Sequence, residues 1–208
     1  MTGLADSGRA TTIRHPLSHD PPSVTHLSVT HHPVTHRSVT SIRARPNRRN
    51  HTPLEIGSTL NLQLREIGGG DLNLAYYRET SNVFVYFMRA LSCAQCNAAV
   101  RTLAAQQDEL AAAGVQVIVA VPEDEAAATA WKAKRGVPFP VVIGKDGTAH
   151  AEAGLLRKVF GAIQQSGGVL LDQEGTVRYS HISTNPGASY NKADLAAAIE
   201  TLTASTAA

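Results

Sequence analysis

The segment NVFVYFM, residues 82–88, is an almost continuous β-branched and aromatic run. A strand with one wet face alternates apolar and polar side chains, so this run belongs in a sheet covered on both sides. A second run, VQVIVAV, follows at residues 115–121. Between the two, Cys96, Val100, Leu103 and Leu110 recur at helical spacing among alanines, and Gly114 supplies a C-terminal stop. Two buried strands linked through a helix imply a parallel βαβ crossover.

The segments LNLQLREI and LNLAYY alternate about a GGGD turn, which predicts a β-hairpin over residues 60–77. PEDEAAATAWKAK opens with Pro122 and the acids Glu123, Asp124 and Glu125, as a helix start does. VPFPVVIG predicts a short strand introduced by prolines, and a helical piece is expected near residues 151–160. GGVLLD and TVRYSHI flank an acidic turn and form a second hairpin. Leu195, Ala198, Ile199 and Leu202 share one face of a last helix, over residues 192–203. The order β-β-β-α-β-α-β-α-β-β-α predicts an α/β fold: a three-layer α/β/α sandwich with a mixed central sheet.

Residues 1–51 are of another kind. They hold seven of the nine histidines, seven arginines and two acids, and repeat SVTHL, SVTHH, PVTHR at a five-residue period. One apolar residue per unit is too little to offset the entropy of ordering, so this part is expected to be a disordered His/Arg-rich leader. Metal capture by its histidines and a transit-peptide role are the other readings. Residues 52–208 are expected to form the folded domain, and carry 12 basic and 15 acidic groups. The net +2 therefore sums two unlike parts and is no nucleic-acid signal. No apolar run is long enough to span a bilayer, and the first twenty residues lack the apolar core of a secretory signal. Two cysteines are too few for a disulfide scaffold, so a reducing cytoplasm is the expected location.

Those two, Cys93 and Cys96, lie two residues apart where the first buried strand gives way to its helix. A helix N-terminus carries unpaired N–H groups and positive partial charge, and a thiol there ionises more readily than free cysteine. Arg89, four residues upstream, adds a second positive influence on the thiols; a solvated arginine at a strand end is the alternative. Cys96 shares a face with Val100 and Leu103 and should be the buried thiol, with Cys93 the exposed one. A Cys-x-x-Cys pair beside a βαβ pattern reads as a thioredoxin-like redox motif. Two inert apolar thiols are a competing reading. A zinc site is disfavoured, because beyond the pair the folded part offers only His150 and His181 as further His or Cys ligands. Trp131 and Phe139 are expected in the core rather than in a substrate cleft, and His181 on the surface of a strand.

Four pieces, VFVYFMRALSCAQC, AAAGVQVIVAVPED, VPFPVVIGKDG and QQSGGVLLDQEGTVRYSHIS, resemble the peroxiredoxin-like branch of the thioredoxin-fold proteins. This is the AhpC/TSA group, and within it the likeness is to the Cys-x-x-Cys members called peroxiredoxin-like 2. The resemblance implies thiol-based reduction of peroxides or disulfides through a dithiol/disulfide cycle, with no metal or organic cofactor and a thiol protein such as a thioredoxin as reductant. It departs from the Pro-x-x-x-Thr-x-x-Cys signature of peroxiredoxins, having Arg89 at the proline and Cys93 at the threonine when Cys96 is matched to the cysteine. It also lacks the Trp before the pair and the Gly-Pro within it that mark thioredoxins. Exposure and thioredoxin analogy make Cys93 the attacking thiol; the peroxiredoxin signature reverses the roles. The alternatives are a disulfide oxidoreductase with little peroxidase activity and a noncatalytic thioredoxin-fold interaction module.

Overall fold

A computed structural model describes residues 54–77, 80–145, 148–158 and 160–206. The expected leader, 1–51, lies outside them. Strand β3 (Asn82–Phe87) is the axis of a seven-stranded sheet. It pairs in parallel with β4 (Val115–Ala120), which pairs in parallel with β5 (Val141–Gly144). On its other side it runs antiparallel to β8 (Ser166–Leu171), which pairs with β9 (Val177–Ser183). The far edge is β1 (Gln63–Glu66) and β2 (Asp71–Asn73), giving the order β2-β1-β5-β4-β3-β8-β9. The sheet is mixed, as the alternation of strands and helices predicts.

Burial explains why residues 82–88 carry no polar alternation. Phe84, Tyr86 and Met88 face one core with α1 (Ala94–Ala105), α3 (Glu125–Arg135) and α5 (Lys192–Thr206). Val83, Val85 and Phe87 face a second core with Leu62, Leu64 and the short α4 (Ala149–Glu152). Each such fully buried side chain contributes roughly 1.5–3 kcal/mol of hydrophobic stabilisation.

Four expectations are modified. The first hairpin is shorter, because the chain turns into a 3-10 helix at Leu74–Tyr77. The helix after the cysteines breaks at Gln106 into α1 and α2 (Gln107–Ala112). Pro122 does not open α3: Asp124 caps it, its Oδ1 accepting the Ala127 N–H at 2.8 Å. The helical piece near 151–160 is only α4, followed by an arm of two short strands, β6 (Arg157–Lys158) and β7 (Ile163–Gln164).

Glycine in β8 is a packing requirement. A Cβ on Gly168 would stand 2.4 Å from Phe84 Cζ, and one on Gly167 2.1 Å from the His181 carbonyl oxygen. Gly168→Ala is expected to lower unfolding free energy by about 2 kcal/mol, since the Phe84 ring must leave its site in a close-packed core. Urea unfolding would register this as a lower midpoint at unchanged slope; an unchanged midpoint would contradict the packing argument.

Candidate active site

Strand β3 ends under full burial, and Met88 N–H still bonds the Ala120 carbonyl at 2.9 Å. The chain then turns through residues 89–92 and enters α1. Cys93 is the N-cap, with extended φ −69° and ψ 112°, and its sulfur accepts the Cys96 backbone N–H at 3.3 Å. One of the unpaired amides at a helix start thus points at a thiol. Cys93 is half-buried and Cys96 has no exposed surface; both are free thiols.

Cys96 lies within the first core, between Val100 and Leu103 of its own helix and Tyr86 of β3. Burial pushes its thiol up to about 11, and the hydrogen bond and charge of Cys93 add to the rise. The Arg89 backbone N–H, 3.5 Å from Cys96 Sγ, and the Tyr86 hydroxyl partly offset it. The Tyr86 phenol is itself raised well above its ordinary value by burial, and lies 2.9 Å from Ser189 Oγ. The pair is therefore asymmetric: one sulfur sits at the surface of a helix cap, the other is held protonated inside.

Arg89 meets the pair through its main chain. Its guanidinium donates from Nη2 to the Thr184 carbonyl, tying the turn to the end of β9, and its buried Nε has no hydrogen-bond partner among the described residues. Three further residues shape the turn, none of which the sequence marked as part of a site. Asn97 donates from Nδ2 to the Leu91 and Cys93 carbonyls at 2.9 and 2.8 Å, and its Oδ1 accepts the Trp131 indole N–H at 2.9 Å. Glu123 Oε1 accepts the Leu91 N–H at 2.8 Å. Trp131 is a core aromatic as expected, and also fixes the amide orientation of Asn97. One sequence signal was available: Asn97 is a polar residue three positions before Val100 on the buried side of α1, and a buried amide must find partners.

Glu123, Asp124 and Glu125 divide three tasks rather than forming one acid cluster: Glu123 holds the turn, Asp124 caps α3, and Glu125 accepts the Gly68 N–H at 3.0 Å. His181, half-exposed on β9, has Nε2 2.5 Å from the Ala188 carbonyl oxygen. Among the described residues no group of three or more His, Cys, Asp or Glu converges as metal ligands would, and no helix is long and apolar enough to cross a membrane.

The AhpC/TSA family profile matches residues 57–180, a span that includes both cysteines, Arg89 and the β8–β9 hairpin. No curated protein matches the chain. Among solved structures, the peroxidoxin BcpB of Mycobacterium tuberculosis superposes with a TM-score of 0.61 at 17% identity, over 73% of this chain and 97% of its own. The bacterioferritin comigratory protein of Xanthomonas campestris, whose alkyl peroxide reduction that structure addresses, gives 0.55 at 22% identity over 73% and 96%. A Chlorobium tepidum protein described as the thiol:disulfide interchange protein DsbE gives 0.54 at 21% identity over 70% and 99%. At these identities the superpositions speak for a shared thioredoxin-like fold, and the profile covers well over half of the chain. A Cys-x-x-Cys pair at the strand-to-helix turn of that fold is compatible with both, and the chain belongs to the AhpC/TSA family, as a thiol-based oxidoreductase of peroxiredoxin-like type.

Proposed function

We propose that Cys93 and Cys96 cycle between dithiol and disulfide to reduce peroxides, with Cys93 attacking and Cys96 resolving. The observation that carries this is the asymmetry of the pair: a partly exposed Cys93 whose sulfur accepts a helix-start N–H, beside a buried thiol raised to about 11. Nucleophilic attack needs a thiol that substrate can reach, and of the two residues Cys93 retains exposed surface.

In the first step the Cys93 thiolate attacks one oxygen of ROOH. An S–O bond forms, the O–O bond breaks, and RO⁻ leaves and takes a proton as ROH. Cys93 is then a sulfenic acid. Cys96 gives up its proton and attacks the Cys93 sulfur, forming the S–S bond and releasing water. A dithiol protein such as a thioredoxin restores the pair by exchange. No metal or organic cofactor enters, and cysteine usage favours the cytoplasm. Arg89 serves as a positioning residue: its N–H faces Cys96 Sγ, and its side chain anchors the turn to Thr184.

The test is rapid-mixing oxidation of the reduced protein by hydrogen peroxide. The parent is expected to form an intramolecular disulfide far faster than free cysteine reacts, and Cys96→Ser to accumulate a sulfenic acid that a dimedone-type reagent traps. Oxidation no faster than that of a free thiol would overturn the peroxidase reading and favour disulfide exchange.

A further inference from the structure

Beside the cysteine turn lies a cleft of about 370 Å³, within the size range of small-molecule sites. It is lined by Arg89 and Ala90 of the turn, by Pro122 and Glu123, and by Arg157 and Ile163 of the β6–β7 arm. The first two belong to the cysteine turn: Arg89 N–H faces Cys96 Sγ, and the Ala90 carbonyl accepts the Cys93 N–H at 3.1 Å. Two of the lining groups carry buried polar atoms without hydrogen-bond partners among the described residues, Arg89 Nε and Glu123 Oε2. Buried donors and acceptors are nearly always paired, so one of each in one cleft calls for a ligand that offers both. Glu123 Oε1 is already engaged by Leu91 N–H, which holds the carboxylate in place; Arg157 Nε donates to Gln164 Oε1 at 3.2 Å, which steadies the second guanidinium.

A ligand for this cleft must place an anionic acceptor near Arg89 and Arg157 and a cationic donor at Glu123. An α-amino acid end, carboxylate and ammonium on one carbon, meets both demands. The adjacent dithiol supplies the remaining requirement, a sulfur to exchange with. We infer that the cleft binds the zwitterionic end of a low-molecular-weight thiol or disulfide, cysteine or a glutathione-type peptide, and delivers its sulfur to Cys93. This rests on the reading of Cys93 and Cys96 as a redox pair, and adds a small-thiol exchange partner to the dithiol protein.

The exchange balances as two displacements. The Cys93 thiolate attacks one sulfur of RSSR, and its S–S bond breaks to release RS⁻, which is protonated. Cys96, deprotonated, then attacks the Cys93 sulfur of the mixed disulfide and releases the second RS⁻. The protein dithiol is oxidised by two electrons and the small disulfide becomes two thiols; the reverse reaction regenerates the dithiol through the same transition states.

The experiment measures disulfide formation in the reduced full chain by oxidised glutathione and by uncharged bis(2-hydroxyethyl) disulfide. Each rate is divided by that of dithiothreitol with the same probe, which removes their intrinsic difference in reactivity. The normalised preference for oxidised glutathione is expected to be about tenfold in the parent and to fall towards one in Glu123→Gln and Arg157→Gln. Because the readout is a ratio within each variant, a general change in thiol reactivity or folding cancels. A parent ratio near one, or a ratio the two variants leave unchanged, overturns the inference. Rapid oxidation by hydrogen peroxide alongside either of those results leaves the redox reading standing, whereas inertness towards the peroxide and both disulfides sinks the two together.

Discussion

Serine in place of Cys93 is expected to slow oxidation of the protein by hydrogen peroxide at least about a thousandfold, while serine in place of Cys96 leaves the first step running. Of the two cysteines only Cys93 has exposed surface, and its sulfur accepts the Cys96 N–H of the first helical turn at 3.3 Å. A peroxide can reach it without unfolding the helix. Cys96 lacks surface, and burial holds its thiol near 11, so at neutral pH it is a poor first attacker and a suitable second one. The two steps should therefore separate by pH. The disulfide-forming step, followed after the sulfenic acid has formed, should quicken as pH rises towards 11, because the thiolate fraction of Cys96 grows until then. Rapid oxidation surviving in Cys93→Ser, with a sulfenic acid trapped on Cys96, would reverse the assignment and match the peroxiredoxin signature instead.

A loss of about 3 kcal/mol of stability on acidification is the second large effect expected, and it centres on His150. The ring is fully buried on α4 against Phe87, with centroids 5.3 Å apart. Its Nε2 lies 2.6 Å from the Met88 carbonyl oxygen. A carbonyl only accepts, so Nε2 carries a proton. Its Nδ1 is buried with no partner among the described residues. Burial holds the histidine down at about 4 from 6.5, and nearby Arg157 adds to the depression against the opposing bond to Met88.

The unfolded chain thus binds a proton between pH 6.5 and 4 that the folded chain refuses. Stability from this group is whole above pH 6.5, declines as pH falls, and is gone below about 4. The consequence reaches the active turn, since Met88 is the residue before Arg89. Denaturant unfolding at neutral and acid pH would measure it, with His150→Gln alongside to remove the contribution of titrating carboxylates common to both. The variant should lose about 3 kcal/mol less on acidification, and equal losses in the two proteins would discard the mechanism.

Much of this architecture could be read locally. The buried run at 82–88 and its partner at 115–121 specify two neighbouring parallel strands because their composition fits no half-wet surface. The spacing of Cys96, Val100 and Leu103 sets which thiol is inside, since residues three and four apart share a helix face. Where local reading failed, the failure had a cause. The β6–β7 arm is two residues on each side, too short for any period to register, and the break at Gln106 has no glycine or proline to announce it.

By itself, then, the sequence determined the βαβ frame and the position of a Cys-x-x-Cys pair at its strand-to-helix turn, because hydrophobic period and helix-start chemistry are properties of neighbours along the chain. Only the tertiary structure decided what surrounds the pair. Arg89 reaches Thr184 across 95 positions, Tyr86 reaches Ser189 across 103, Trp131 reaches Asn97 across 34 and Glu123 reaches Leu91 across 32. Contacts at such separations follow from the order in which strands assemble into a sheet, so no local pattern records them. They set the shape of the cysteine turn and of the cleft beside it.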